Sequence, residues 1–105
     1  MNNTGLTETD LQEIISILKS FPEIQQALIF GSRAKGNYKN GSDVDLALKG
    51  PELTFSTVAR IRYLLNEETR MPYTFDVVQF ETITSLELIG HINRVGTCIY
   101  TNPSA

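Results

Sequence analysis

Residues 31–46 constrain the fold more than any other stretch of the sequence. An apolar run at 27–30 precedes this stretch and predicts a buried strand. The alternating segment 43–49 predicts a second strand, with Asp43 and Asp45 on one face. About a dozen residues lie between the two strands, which is at the short end for a parallel crossover. We therefore expect a mixed sheet rather than a purely parallel one.

Apolar residues recur at helical spacing in three longer segments. The first helix is predicted to begin at Thr9, which has the spacing of a capping box with Gln12, and to end before Pro22. The later helices begin near residues 54–56 and 84–85. The residues of these two helices that we predict to face inward are Phe55, Val58, Ile61, Leu64, Leu65, Leu86, Leu88, Ile89, Ile92 and Val95.

Aromatic and β-branched residues at 73–80 predict a third strand, and residues 98–100 predict a short final one. This order of elements predicts an α/β fold, an α+β two-layer sandwich with a mixed sheet of about four strands. The helices are expected mainly on one face, and the carboxylates on the other, partly open face. We interpret residues 1–105 as a single domain, with 1–8 and 101–105 as flexible tails.

Composition and charge exclude several classes of protein. The 105 residues, 41% hydrophobic and 20% charged, suit one globular domain. A net charge of −3 argues against gripping the phosphate backbone of a nucleic acid. The single cysteine, Cys98, cannot form an internal disulfide, and no apolar run reaches the roughly 20 residues that span a bilayer. We therefore expect a cytoplasmic protein with no membrane partner.

Two carboxylates close the stretch 31–46. Because Asp43 and Asp45 are two residues apart on one predicted strand, their side chains project from the same face, with Cα atoms roughly 6.5–7 Å apart. Carboxylates this close raise each other's pKa unless a cation lies between them. Oxygen ligands with open positions for water and phosphate suit Mg²⁺ or Mn²⁺. The structural alternative is a pair of solvated residues on an exposed strand face.

The front of the same stretch has the residues of an anion site. Gly31 lets the backbone pass close to a ligand, and Ser32 is placed to cap a short helix that reaches about residue 38. Arg33, Lys35 and Lys39 add positive charge, although each could equally belong to a solvated helix face. The sequence has no Gly-Lys-Ser or Gly-Lys-Thr, which excludes a P-loop. The predicted phosphate-binding residues are Gly31, Ser32, Arg33 and Lys35.

These motifs together resemble a known family. Gly31-Ser32, followed twelve residues after the glycine by Asp-Val-Asp-Leu and later by Asp76, resembles the nucleotidyltransferase signature of the DNA polymerase beta superfamily. In so short a chain, Gly-Ser-Arg-Ala-Lys-Gly and Gly-Ser-Asp-Val-Asp-Leu are similar to the minimal nucleotidyltransferases. These are the MNT partners of HEPN proteins in prokaryotic toxin–antitoxin pairs. The resemblance extends to residues 93–100 and implies the nucleotidyltransferase fold.

The resemblance also implies a two-metal transfer with ATP as the donor and Mg²⁺ or Mn²⁺ as the cofactor. Asp43 and Asp45 would bridge both ions, and Asp76 would bind the ion nearer the acceptor and assist its deprotonation. Gly31 with Ser32 would hold the nucleotide phosphates. An acceptor hydroxyl would attack the α-phosphate, and pyrophosphate would leave. Family members of this size are implicated in adenylylating a tyrosine of the HEPN partner, which neutralises a toxic ribonuclease.

Other functions stay open beside this one. The chain could be a non-catalytic antitoxin that acts by occupying its partner. It could also modify small antibiotics, although such enzymes generally carry a further domain for the drug, which a dimer would have to supply. A polymerase is disfavoured because nothing is left to hold a primer and template. Since so small a transferase has little surface for an acceptor, we expect a protein partner or a second subunit to bring it.

Several further residues are expected to be structural. His91 lies in the last predicted helix, where a lone histidine is more often structural than catalytic. Cys98 is expected in the core. Arg60, Arg62 and Tyr63 could form a partner-facing surface of the third helix, but solvated helix faces commonly carry such residues.

Overall fold

The computed structural model describes residues 4–38 and 43–103. The helices are α1 (Glu8–Leu18), α2 (Ser32–Lys35), α3 (Phe55–Glu67) and α4 (Leu86–Val95). The strands are β1 (Gln26–Phe30), β2 (Val44–Lys49), β3 (Phe75–Gln79) and β4 (Thr97–Thr101), with a 3-10 turn at Phe80–Thr82. This is the predicted alternation of helices and strands. In the described part of the chain, no helix combines the length and the apolar character needed to cross a membrane.

The four strands form one mixed sheet in the spatial order β3-β2-β1-β4. β1 runs antiparallel to both β2 and β4, whereas β2 and β3 are parallel. A short connection returns the chain directly from β1 to the neighbouring β2, and the longer connection through α3 makes the parallel crossover to β3. The predicted mixed α/β sheet is therefore confirmed.

The two faces of the sheet carry separate apolar clusters. On one face, α1 and α3 bury Ile14 and Ile61 completely against alternate residues of the strands. On the other face, Ile92 of α4 packs with Phe30 and Ala47. Each such side chain contributes roughly 1.5–3 kcal/mol through burial. The helices lie mainly on one face, as predicted, and α4 in addition covers part of the face expected to be open.

Both ends of the described chain pack against the domain. Thr4 is 1% exposed and Leu6 is 6% exposed, so the predicted flexible tail at 1–8 is wrong for residues 4–8. At the other end, Thr101 belongs to β4, and the Asn102 N–H donates to the Gln25 carbonyl at 2.8 Å. Burial of Leu6 and extension of β4 to Thr101 depend on partners distant in sequence, which the composition of the two ends does not reveal.

The N-cap of helix α1 is Thr7, two residues before the predicted Thr9. The Thr7 side chain accepts a hydrogen bond from the Asp10 N–H at 3.0 Å, and the Asp10 carboxylate accepts one from the Thr7 N–H at 3.1 Å. This is a complete capping box, so the box predicted at Thr9 and Gln12 is wrong. The Asp10 carboxylate also accepts the hydroxyl of Tyr73 at 2.9 Å, which ties the start of α1 to the segment before β3.

Three residues predicted to be in the core lie at the surface. Phe55 and Leu86, 79% and 82% exposed, are the first residues of α3 and α4. Helical periodicity cannot show that a first turn projects past the structure that the rest of the helix covers. Cys98 is also exposed, on the edge strand β4, whose register with β1 shifts between Ala27 and Leu28.

Side chains from α3 satisfy the free edge of β3. Asn66 accepts from the Phe75 N–H at 2.7 Å and donates to the Phe75 carbonyl at 3.0 Å. Arg62 donates to the Val77 carbonyl at 2.8 Å, so this side chain binds the sheet instead of presenting a free cation to a partner. An edge strand protected in this way offers few backbone groups for pairing with another chain.

Replacing Asn66 with alanine should lower the free energy of unfolding by roughly 1–3 kcal/mol, because it leaves part-buried Phe75 backbone groups without their partners. Urea denaturation measures this loss. Asn93→Ala on the exposed side of α4 is the matched control, since it gains the same helix propensity without touching an edge strand. Equal stability of the two variants would contradict the capping role of Asn66.

Candidate active site

Two of the predicted carboxylates lie side by side on neighbouring strands. Asp45 pairs in register with Asp76 across the parallel β2–β3 ladder, which places their Cα atoms about 4.8 Å apart. On its other side Asp45 lies opposite Phe30, the last residue of β1. Asp76 is exposed and Asp45 is partly buried. The pairing of three strands therefore brings together residues that are 31 positions apart in the sequence.

The turn after β1 passes directly over Asp45. Gly31 has φ 76° and ψ −152°, a conformation that is essentially restricted to glycine. A Cβ built on Gly31 would overlap the Asp45 carboxylate oxygen Oδ2. Gly31 thus allows a close approach of the backbone to the Asp45 carboxylate, whereas the predicted approach to a ligand stays a prediction.

Helix α2 is a single turn, shorter than predicted. Its N-cap is Gly31, without a side-chain hydrogen bond, and its C-cap is Gly36 in the left-handed conformation. Ser32 is therefore the first helical residue, and its predicted role as N-cap is wrong. Its partly exposed side chain lies directly after the turn at Gly31. One turn of helix carries little dipole, so an anion here would depend mainly on individual N–H and hydroxyl groups.

Burial raises the pKa of the Asp45 carboxyl, and the negative charges of Asp76 and then Asp43 raise it further. A protonated His91 would act in the opposite direction and lower the same pKa. Asp43 precedes β2 and is exposed, yet it is close enough to act on Asp45. The negative charges of Asp76 and Asp43 thus disfavour the ionised form of the partly buried Asp45.

The donor set fits a hard divalent cation that is completed by substrate. Among the described residues, no three His, Cys, Asp or Glu side chains are gathered into a ready-made metal centre. Asp45 and Asp76 nevertheless face the same side of the sheet, and a cation between them would relieve the repulsion that raises the Asp45 pKa. Mg²⁺ is commonly held by one or two carboxylates plus phosphate oxygens, which matches this arrangement.

The structure separates the predicted cationic residues. Lys35 is exposed at the end of α2, where its ammonium group can reach solvent, and Lys39 lies outside the described residues. Arg33 is only 2% exposed, and its guanidinium donates to the Thr4 carbonyl at 2.7 Å. The same guanidinium lies 5.0 Å from the ring centre of Tyr38 and 4.7 Å from that of Tyr73.

These contacts favour a structural role for Arg33 over the predicted phosphate contact. A buried guanidinium between two aromatic rings is held by cation–π attraction and would lose both rings if it turned toward solvent. Through Thr4 and Tyr73, Arg33 ties α2 to the N-terminal segment and to the start of β3. The sequence shows a basic residue two positions after Gly31, but the residues that bury its side chain are distant in the chain.

His91 is a residue of the site that sequence reasoning assigned to structure alone. Its Nε2 accepts a hydrogen bond from the Gly31 N–H at 3.0 Å, across 60 positions of sequence. The edge of its ring packs against Phe30, with ring centres 6.1 Å apart and planes at 79°. A histidine one position before the inward-facing Ile92 was the available signal, but only the fold shows that it meets Gly31.

A separate groove of about 430 Å³ lies beside the outer edge of β3. Its walls are mostly apolar and include Phe55, Val78, Ile83 and Leu88, and none of the three carboxylates lines it. Phosphates have little to bind there. The groove is therefore separate from the candidate site at Gly31 and Asp45.

Gly31→Ala should destabilise the protein by roughly 1–3 kcal/mol from backbone strain, and further by displacing the Asp45 carboxylate. Gly36→Ala is the matched control, because Gly36 also has a positive φ of 82° but a Cβ there meets nothing within 4 Å. Urea denaturation of both variants measures the difference. Equal losses would show that the close approach to Asp45 has no energetic weight.

Asp45→Asn should stabilise the empty protein at pH 7 by roughly 2–5 °C in Tm, because it removes a partly buried charge repelled by two neighbours. Because the pKa of Asp45 is raised, ionisation of this carboxyl lowers the stability of the folded protein. The carboxyl contributes stability below its ordinary pKa of 3.8, and that contribution is lost as pH rises through the higher folded value. The advantage of the Asn variant should therefore shrink as pH falls toward 4.

Thermal unfolding between pH 4 and 8 tests this dependence. Glu52→Gln, in an exposed loop, changes the net charge equally and should leave the pH profile unchanged. A Tm of Asp45→Asn at or below that of the wild type at pH 7 would contradict the electrostatic interpretation.

Solved structures with the same fold include chains of toxin–antitoxin complexes. One, from a complex with AMP-PNP, has 21% identity and a TM-score of 0.73, with 90% of this chain and 76% of that chain covered. A chain of the MntA-HepT complex has 18% identity and a TM-score of 0.69, covering 90% and 73%. A chain of the Shewanella oneidensis complex between MNT antitoxin and tri-AMPylated HEPN toxin has 18% identity and a TM-score of 0.69, covering 91% and 73%.

At these identities the structural matches show a shared fold. A comparison with curated proteins gives no match. The family model described as polymerase beta, nucleotidyltransferase matches residues 12–105, which include Gly31 and all three carboxylates. That match covers most of the sequence, and so the chain belongs to the polymerase beta nucleotidyltransferase family.

Proposed function

We propose that this chain transfers a nucleoside monophosphate, AMP from ATP, to a hydroxyl group of a protein partner. The observation that carries the proposal is the Gly31 backbone packed over Asp45, which is itself paired in register with Asp76. The turn after β1, the proposed phosphate contact, thus lies next to carboxylates that would favour a divalent cation. The residues matched by the family model make nucleotidyl transfer the chemistry that this arrangement fits best.

Asp43, Asp45 and Asp76 are the proposed ligands for Mg²⁺ or Mn²⁺, with phosphate oxygens completing the coordination. When bound, such cations supply positive charge to the reacting phosphate and its leaving group. The Gly31–Ser32 turn is the proposed contact to the nucleotide phosphates, with the Ser32 hydroxyl as a donor.

Lys35 contributes a mobile ammonium group to the same surface, whereas Arg33 holds α2 in place. The acceptor oxygen bonds to the α-phosphorus as the bond to the pyrophosphate oxygen breaks. Asp76, the exposed carboxylate of the pair, is the group that we propose to assist removal of the acceptor proton.

The proposed partner is a HEPN-type helical protein, and the chain would act as its antitoxin in the cytoplasm. The support is the shared fold with chains from MntA-HepT and from a complex containing a tri-AMPylated HEPN toxin.

The proposal is tested by incubating the chain, Mg²⁺ and labelled ATP with the product of the neighbouring open reading frame. Label should appear on the partner from α-labelled ATP and not from γ-labelled ATP, since the α-phosphate is transferred. Asp45→Asn should reduce this labelling by roughly 100-fold or more, because it weakens electrostatic stabilisation at the reacting phosphate. Glu52→Gln is the charge-matched control and should label normally.

Undiminished labelling by Asp43→Asn and Asp45→Asn together would sink the assignment of the carboxylates. A non-catalytic antitoxin makes a different prediction, in which Asp45→Asn still neutralises the toxin in cells although no label is transferred. Growth of cells that express the partner with each variant separates these two functions.

A further inference from the structure

His91 is fixed in space by the packing of its own helix. The next residue, Ile92, is fully buried against Phe30 and Ala47, so α4 cannot turn about its axis without exposing it. The Phe30 ring meets the imidazole edge-on and restricts its plane. The imidazole is therefore held beside the end of β1 by contacts that do not involve the phosphate-binding turn.

The hydrogen bond to Gly31 defines the state of this imidazole. Because Nε2 accepts the Gly31 N–H at 3.0 Å, Nε2 carries no proton and the neutral ring carries its proton on Nδ1. The Gly31 amide is committed to His91 and is not free to donate to a phosphate. The phosphate contacts of the turn consequently fall to the groups that follow, beginning with Ser32.

The bond also acts on the most constrained residue of the site. Gly31 has a backbone conformation reserved for glycine and lies against the Asp45 carboxylate. The hydrogen bond from the Gly31 N–H to His91 and the packing of Gly31 against the Asp45 carboxylate together restrict the orientation of the peptide group before Gly31. Without the acceptor, a part-buried N–H would lose its partner and the turn would be free to rotate.

We propose that His91 is a positioning residue for nucleotide binding, which holds the Gly31–Ser32 turn over Asp45 by accepting the Gly31 N–H. The inference rests on the proposed function, since it assigns the nucleotide phosphates to this turn. It makes α4 part of the active site, although this helix carries none of the motif residues.

The test compares two substitutions of His91, one that keeps a planar ring without a hydrogen-bond acceptor and one that keeps an acceptor without the ring. His91→Phe keeps a planar ring against Phe30 but has no acceptor, whereas His91→Gln can place an amide oxygen near the position of Nε2. Binding of a non-hydrolysable ATP analogue with Mg²⁺ is measured by calorimetry. His91→Phe should weaken binding roughly 10-fold, as loss of a supporting hydrogen bond does at other ligand sites, and His91→Gln should stay within about 3-fold of the wild type.

Asn93→Ala, on the exposed side of α4, is the control and should bind as the wild type does. Equal affinity of the wild type and His91→Phe would overturn this inference and leave the proposed function standing. Failure of the wild type itself to bind the analogue would instead overturn the proposed function, and the inference with it.

Two measurements on the free protein decide the hydrogen bond independently of the nucleotide and of the folding of the variants. In wild-type protein, imidazole ¹⁵N shifts should show the proton of His91 on Nδ1, and the Gly31 amide should exchange slowly with solvent. A proton on Nε2, or a Gly31 amide that exchanges as fast as an exposed one, would overturn the inference. In His91→Gln the slow exchange of Gly31 should be retained.

Discussion

The antiparallel pairing of β1 with β2 decides where everything else in the site must lie. It sets Phe30 opposite Asp45, so the chain leaving β1 emerges directly above that carboxylate. No side chain fits between the Gly31 backbone and the Asp45 carboxylate, because a Cβ on Gly31 would overlap Oδ2 of Asp45. The glycine, the tight turn and the one-turn helix α2 all follow from this register. A shift by one residue would send Asp45 into the apolar face of the sheet.

The larger apolar cluster lies on one face of the sheet, and the candidate site lies on the other face. α1 and α3 bury one face almost completely and contribute most of the apolar core. The other face holds the smaller cluster around Ala47 and Ile92, and the charged residues continue from it along the same strands. Because α4 packs on this second face, its side chains can reach the site, as His91 does. The stability of the first face allows strained and repelling groups on the second.

The fold and the centre of the site could be predicted from sequence because their signals are local. Alternation along β2, the Gly-Ser turn and the short link between the first strands lie within a few residues of one another and follow the periods of strands and turns. His91 and Arg33 could not be assigned in this way. Their partners, Gly31 for the histidine and Thr4 and Tyr73 for the arginine, meet them only through tertiary packing. Cys98 was misplaced because edge strands do not bury alternate residues as central ones do.

The two paired carboxylates differ in their surroundings, and this difference gives the proposed site a direction. Asp45 is partly buried beneath Gly31, on the side of the site that faces α2 and α4, while Asp76 is exposed on the edge strand β3. A nucleotide held at the turn would reach the site from the enclosed side. An acceptor would have to come from the side of Asp76, where α3 side chains already satisfy the strand edge. Backbone pairing with that edge is thereby disfavoured, so the proposed acceptor protein would dock through its side chains, with its own surface aligning the hydroxyl.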